Sequence, residues 1–329
     1  AENINNTGFY ASNNFEIIKE KLFILLTGRY DNVVYDLQDQ LLGSRSDKRR
    51  FEAFTPKVAL NYKLTPHIAV YTSYGSSFDS PAKNELESFD ISRLLNQELE
   101  AQESKNFEIG IKGNLVNFDS DFLQRMIFEA TYFNINIDNE IVPWEVFGDV
   151  FFRNAANTLR QGIELGTDMN IYKGLNLNIS YTFSDFNYKS YSAKIIEIDS
   201  TGNIVESDKD FSGNIVPSVP KHNIYLALSY TALITNNFTG FLKLSYRGVS
   251  GLWVDDANSD KTDGYNLLNS VAGIDISFGN FNLMISGGIN NLLDQLFVGF
   301  TNTNSADKRF YEAGEPRNYF GSLNLGYVF

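Results

Sequence analysis

Two histidines and no cysteine stand among the 329 residues, so the side chains that most often hold metals are nearly missing. His67 follows Pro66 in a short turn, and His222 lies in Pro220-Lys-His-Asn223 where a strand pattern begins. With no second histidine nearby and no thiol, neither a metal site nor a haem or other cofactor is expected. The acidic loop Asp255-Asp-Ala-Asn-Ser-Asp260-Lys-Thr-Asp263-Gly264 could suggest calcium. It fails the EF-hand spacing, because Lys261 and Thr262 fall where the turn glycine and ligands belong, and a solvated acidic loop is the expectation. No Ser-His-Asp set or catalytic carboxylate pair can be assembled, and Glu164 and Asp168 read as polar residues of a lumen, so no enzyme is expected. Binding chemistry is better represented. Pro143-Trp144-Glu-Val-Phe147-Gly-Asp-Val-Phe151-Phe152-Arg153 is the first candidate, Trp253 the second, and Arg309 with Tyr311 the third. Planar side chains beside arginine suit catecholate iron chelates or sugars, through stacking and charge-assisted hydrogen bonds. The competing reading is an aromatic girdle at a membrane interface, and the alternation of Phe151 with Arg153 leans towards it.

What positions these residues is written in the composition. Aromatics make up 14% of the chain, with 27 Phe and 18 Tyr, yet hydrophobic residues reach only 43%. Mean hydropathy is −0.23, and no run approaches the roughly 18–20 apolar residues of a spanning helix. A transmembrane barrel hides from hydropathy in this way, since every second residue faces a polar lumen. The net charge of −13 argues against a nucleic-acid partner, whose phosphates it would repel.

Alternation with a period of two recurs along the whole chain. In the last stretch Tyr319, Gly321, Leu323, Leu325, Tyr327 and Phe329 fall on one face, and Asn318, Phe320, Ser322, Asn324, Gly326 and Val328 on the other. Leu175, Leu177, Ile179, Tyr181 and Phe183 alternate without exception with Asn176, Asn178, Ser180, Thr182 and Ser184. Similar segments begin near residues 7, 22, 54, 68, 107, 125, 163, 224, 242, 272 and 281. The segment over 125–140 changes phase in its middle, as a β-bulge would make it do. In all about thirteen antiparallel strands are expected. Short turns near 18–21, 63–66, 172–174, 233–237 and 279–280 alternate with long stretches near 37–50, 79–103, 141–156, 189–219, 249–263 and 294–316, and the connection near 114–124 is intermediate. Turns at one rim and loops at the other describe an outer-membrane barrel, with the turns periplasmic. If the last strand runs inward, an odd count makes the first strand start outside. Since bacterial barrels have even strand numbers, at least one preceding strand is expected beyond this sequence. The start, Ala1-Glu-Asn-Ile-Asn-Asn6, also carries no signal peptide.

Several segments together resemble the TonB-dependent outer-membrane receptors. Gly288-Ile-Asn-Asn-Leu-Leu-Asp294, a long loop and Gly314-Glu-Pro-Arg-Asn-Tyr319 match the family's Asn-Leu-Phe-Asp segment and its Gly-x-Pro-Arg lead into the last strand. Tyr74-Gly-Ser-Ser-Phe78-Asp-Ser-Pro81 with Glu85-Leu86 looks like its Ser-x-x-Phe-x-x-Pro-x-x-x-Glu-Leu segment. Leu99 to Lys112 resembles its Pro-Glu strand, with Ala101 where proline is usual, and Asn154 to Gly166 resembles its Asn-to-Gly-x-Glu segment. The resemblance implies an all-β transmembrane barrel of about 22 strands. Residues 1–329 would then be its C-terminal portion, a single incomplete domain of about thirteen strands. The family's plug domain and TonB-binding segment match nothing here, so coupling to the TonB complex would run through sequence outside this stretch.

The implied function is energised import of an iron–siderophore or similar chelate. Glycan or peptide import of the starch-utilisation type, and a passive porin or scaffold barrel, are the alternatives. Outer-membrane lipid and the barrel-assembly machinery are the further partners implied, with Tyr327 and Phe329 as the assembly signal. Loss of Phe329 removes only ~2–3 kcal/mol of burial, too little to unfold a large barrel. Its deletion is therefore expected to lower the amount of receptor in the outer membrane far more than the Tm of the receptor that assembles. Blots of membrane fractions beside thermal melts separate the two, and normal levels with a much lowered Tm would make Phe329 an anchor instead.

Overall fold

The computed structural model describes residues 2–39, 45–88, 92–116, 122–146, 149–198, 204–305 and 310–328. The described residues contain strands and turns and no helix. The strands are β1 (Glu2–Ile18), β2 (Leu22–Gln38), β3 (Ser46–Thr65), β4 (Ile68–Asp79), β5 (Gln102–Val116), β6 (Arg125–Val146), β7 (Asp149–Tyr172) and β8 (Leu175–Ile198). They continue with β9 (Ile204–Asp210), β10 (His222–Thr235), β11 (Phe238–Val249), β12 (Tyr265–Phe278) and β13 (Phe281–Asn290). The last are β14 (Val298–Thr301), β15 (Tyr311–Ala313) and β16 (Asn318–Tyr327). Thirteen of them form one antiparallel meander, β1 to β8, β10 to β13 and β16, in chain order. β9 pairs only with β8, and β14 and β15 form a separate hairpin.

Directly paired residues share a face of the sheet, so the register shows whether the alternation adds up to a surface. It does. One row runs Phe15, Ile24, Leu60, Thr72, Ile109, Tyr132, Ile163, Phe183 across eight strands. Another continues Leu177, Leu228, Leu244, Ser270, Ile289, Tyr319 through β16. The opposite face carries Asn61, Tyr71, Gly110, Thr131, Glu164, Thr182 and Asn223 in one row. On it the Tyr71 ring lies over Gly110, where any Cβ would come within 2.7 Å of the ring, and the Tyr71 hydroxyl meets Thr131 Oγ1 at 2.6 Å. Leu323 and Leu325 on the apolar face are 70% and 69% exposed, which is tolerable only if lipid covers them. Phe281 stacks with Phe278 at 5.5 Å and meets Tyr327 at 4.9 Å, an aromatic cluster at the rim of the short turns.

The strands outrun the alternating segments. β6 and β7 continue as a hairpin through most of the stretch expected to be loop at 141–156, and β8 with β9 occupies much of 189–219. The phase change in β6 is a bulge: the register shifts between Ile137 and Glu140, and Asn139 takes a φ of 57°. The two segments flanking the last long loop hold each other. The buried Asn291 side chain receives Gln295 N at 2.9 Å and donates to the carbonyls of Gln295 and Glu315, while Asp294 Oδ1 accepts Arg317 N at 3.1 Å. Asn291 and Asp294 both sit at positive φ, which Asn and Asp tolerate better than most residues. Tyr327 closes the register against Phe281, and Phe329 lies outside the described residues.

Spin labels at Ile179 and Ser180 test the facing of β8. A lipid-soluble relaxant is expected to broaden the label at 179 and spare that at 180, and equal broadening would overturn the assignment.

Candidate functional site

At the rim of the long connections the chain builds the cores that the single sheet cannot. Residues 80–88 and 92–101 fold onto the polar-face positions Val33, Tyr35 and Phe51, burying Leu86, Leu95 and Leu99 completely. Burial of this kind stabilises by about 1.5–3 kcal/mol per side chain. Polar anchors set the loop's course. Tyr35 donates to Pro81 O at 2.7 Å, and Asp47 accepts Leu95 N at 3.1 Å and Gln97 Nε2 at 2.6 Å. At its far end the Asn154 amide brackets Glu100, accepting its N–H at 2.6 Å and donating to its carbonyl at 2.9 Å. One connection thereby links β3 to β7.

The second assembly is centred on Asp256, only 7% exposed. Its carboxylate accepts the hydroxyls of Tyr188 at 2.6 Å and Tyr191 at 3.0 Å, and Asn304 Nδ2 at 2.9 Å. Its N–H donates to Asn304 Oδ1, and its carbonyl accepts Asn214 Nδ2 at 2.7 Å. Val142, Ala156 and Ala193 pack around the two tyrosines. The expectation of a solvated acidic loop is thus corrected at this residue: a carboxylate so buried needs several donors, and β8 and the segment at Asn304 supply three. The rest of the loop stays at the surface. Asp255 binds Ser259, and among the described residues no cluster of acidic or histidine side chains could hold a metal ion.

Two of the aromatic candidates meet on this same loop. Lys261 pairs with Trp253 as an isolated β-bridge and sets its ammonium 5.3 Å from the indole centre. Tyr311, 44% exposed, donates to Asp260 Oδ2 at 2.5 Å, and this bond pushes its pKa up to about 12. Trp144 lies elsewhere, opposite Phe151 in the β6–β7 hairpin. Phe152 of that hairpin packs against the 80–101 core. Phe147 and Arg309 lie outside the described residues. Among the described residues neither histidine belongs to a group that could hold a metal ion: His222 Nδ1 is 2.9 Å from the Tyr181 hydroxyl, and His67 sits in the β3–β4 turn. Tyr188 and Tyr191 escape sequence reasoning because a bulge in β8 opposite Asn157 and Thr158 falls between them and breaks the plain alternation, and Asp256 escapes it because its donors come from distant segments.

A family model described as "TonB dependent receptor-like, beta-barrel" matches residues 1–292. The chain belongs to that family. This TonB-dependent receptor-like barrel is 25% identical over 327 residues to the ferrioxamine B receptor of Salmonella typhimurium (strain LT2), covering 98% of this chain and 41% of that protein. It is 24% identical over 285 residues to the ferrichrome outer membrane transporter/phage receptor of Escherichia coli K12, covering 85% of this chain and 33% of that one. The chain thus spans less than half the length of these curated relatives. Among solved structures, the siderophore receptor PiuA from Acinetobacter baumannii superimposes with a TM-score of 0.72 at 21% identity, over 99% of this chain and 43% of that one. The ferric yersiniabactin uptake receptor FyuA from Yersinia pestis gives 0.72 at 15%, over 100% and 46%. The family is one of transporters and receptors, and the barrel resides in the bacterial outer membrane.

Tyr188 and Tyr191 stand on the part of β8 beyond the membrane-spanning segment. Burial first, then the Asp256 carboxylate, raises both pKa values well above the usual tyrosine range. In the unfolded chain they ionise near pH ~10, whereas in the folded chain they stay neutral. Their contribution is therefore complete below about pH 10 and lost as pH rises beyond it. Tyr188→Phe is expected to cost about 1.5–3 kcal/mol locally, since it removes a hydrogen bond to a charged group. Hydrogen exchange in residues 252–262 should quicken in this variant, and unchanged protection would dismiss the buried carboxylate as a lock.

Proposed function

We propose that this barrel belongs to a receptor that takes up an iron–siderophore or similar chelate across the outer membrane, with energy delivered through the TonB complex. The observation that carries this reading is the alignment of 98% of the chain with a ferrioxamine B receptor. The geometry supports it: the long connections are folded into packed cores, and Trp253 and Lys261 on one of them are joined through Asp260 to Tyr311 on another. A planar chelate could stack on such a surface and bond to its charged groups. Trp144, Phe147 and Arg309 remain contact candidates in this reading.

Residues 1–329 act in it as one portion of the barrel domain, coupling to TonB through a region outside them. Outer-membrane lipid surrounds the apolar face, and the barrel-assembly machinery reads Tyr327 and Phe329. The protein's part is binding and conduction, without catalysis.

Growth of the source bacterium under iron limitation is the test, with ferrioxamine B or ferrichrome supplied as the iron source. Deleting the receptor should abolish growth on at least one of the two, and loss of the TonB protein should reproduce the defect. Equal growth of deletion and parent strains on both chelates would refute the iron reading. Uptake that survives loss of TonB would instead favour a passive pore.

A further inference from the structure

On the polar face of the sheet, beneath the β14–β15 hairpin, lies a cavity of about 420 Å³. It is lined on one side by Arg247, Asn269, Asn290 and Asn318, and on the other by Tyr265 and Phe297. Arg247 stands on β11 opposite Tyr225 of β10 and Leu267 of β12, one position along from the lipid-face Tyr246. It makes no hydrogen bond or ion pair with any described residue. One acid, Glu315, also lines the cavity; its Oε2 accepts Asn318 Nδ2 of the same lining at 3.2 Å, and it makes no ion pair with Arg247. Asn269 commits its oxygen to Asn291 N at 2.8 Å, which leaves its NH₂ as a second donor. Asn290 spends its NH₂ on Asn318. The cavity thus offers a guanidinium and an amide donor that no acid of the lining bonds. Its other wall is two rings 4.6 Å apart and tilted by 42°. Gly314 lets the hairpin close over them: a Cβ there would come within 2.3 Å of the Phe297 ring.

We propose that this cavity binds an anionic planar group, an aryl carboxylate or phenolate, with Arg247 holding the charged oxygens and Tyr265 and Phe297 packing the ring. Bidentate donors match a carboxylate, and a guanidinium cannot lose its charge to accommodate a neutral guest. The volume lies in the range of small-molecule pockets and readily admits a substituted aromatic ring. This deepens the reading of the protein as a chelate receptor and rests on it for the physiological source of the group, though not for the binding itself.

The test uses the receptor purified from outer membranes in detergent and titrated calorimetrically with benzoate and with benzamide, its neutral isostere. The unaltered protein should bind benzoate at least about tenfold more tightly. Arg247→Gln should bring the two to the same affinity, Arg247→Lys should keep part of the preference, and Phe297→Leu should weaken both guests together. Heat-modifiable migration on gels confirms that each variant is a folded barrel, and Arg247→Lys carries the comparison if Arg247→Gln does not assemble. Equal affinities in the unaltered protein, or a benzoate preference that survives Arg247→Gln, would overturn the proposal. The growth assay keeps the two readings apart. Chelate-dependent growth without benzoate preference sinks this cavity alone, and preference without chelate-dependent growth sinks the transport reading alone.

Discussion

A backbone in lipid has no water to bond, so every amide and carbonyl within the membrane must find its partner in a neighbouring strand. The antiparallel ladder from β1 to β16 meets this demand, and it does so in chain order, each strand paired with its sequence neighbours apart from the β9 and β14–β15 excursions. Once the ladder exists, its register decides everything about the two faces. A slip of one residue between any two strands would turn the apolar row of one onto the polar row of the next. The rows from Phe15 to Phe183 and from Leu177 to Tyr319 cross without such a slip. Four register shifts, at Glu16/Ile18, Lys63/Thr65, Asn170/Tyr172 and Leu233/Thr235, lie at short turns at hairpin ends, and those at Ile137/Glu140, Glu140/Ile141 and Asn157/Thr158 lie in the parts of β6, β7 and β8 towards the long connections. There the chain can absorb an extra residue without exposing it to hydrocarbon.

A single sheet with lipid on one face has no second layer to pack against, and its buried core has moved accordingly. The fully buried leucines belong to the connection between β4 and β5, and the buried tyrosines to the upper part of β8. Loops of this length are usually mobile, because ordering them costs conformational entropy with little burial in return. Here the return is large: an apolar cluster on one side, and on the other a carboxylate satisfied by two tyrosines and an asparagine. Function benefits from this rigidity. A surface that keeps Trp253, Lys261 and Tyr311 in fixed relation needs less ordering when a ligand arrives.

The same economy explains the residue types in the segments around the last long loop. Asn291 and Asp294 occupy left-handed backbone and use their short polar side chains to tie the end of β13 to the segment leading into β16. A larger side chain could neither adopt that conformation cheaply nor reach both partners. The motif is therefore a clasp, whatever else its neighbours do.

The sequence by itself determined the period of two, the thirteen-stranded antiparallel meander, the sorting of short turns from long connections and the polarity of the two faces. These follow from one local fact, that successive side chains in a strand point to opposite sides, and neighbours in sequence suffice to read it. The bulge in β6 was legible for the same reason. Only the tertiary structure decided that β6, β7 and β8 run on past the membrane, that the 80–101 connection lies across β3 and β7, and that Asp256 is buried. The contact of Asp256 with Tyr188 spans 68 residues, and that with Asn304 spans 48. No local pattern encodes such meetings. An aspartate in an acidic loop looks solvated until the donors from distant segments are in place, and they are placed by the ladder beneath them. Trp253 and Tyr311 were legible as residue types suited to binding, but their nearness through Lys261 and Asp260 was not, because it depends on two loops that meet only after β11 to β16 have paired.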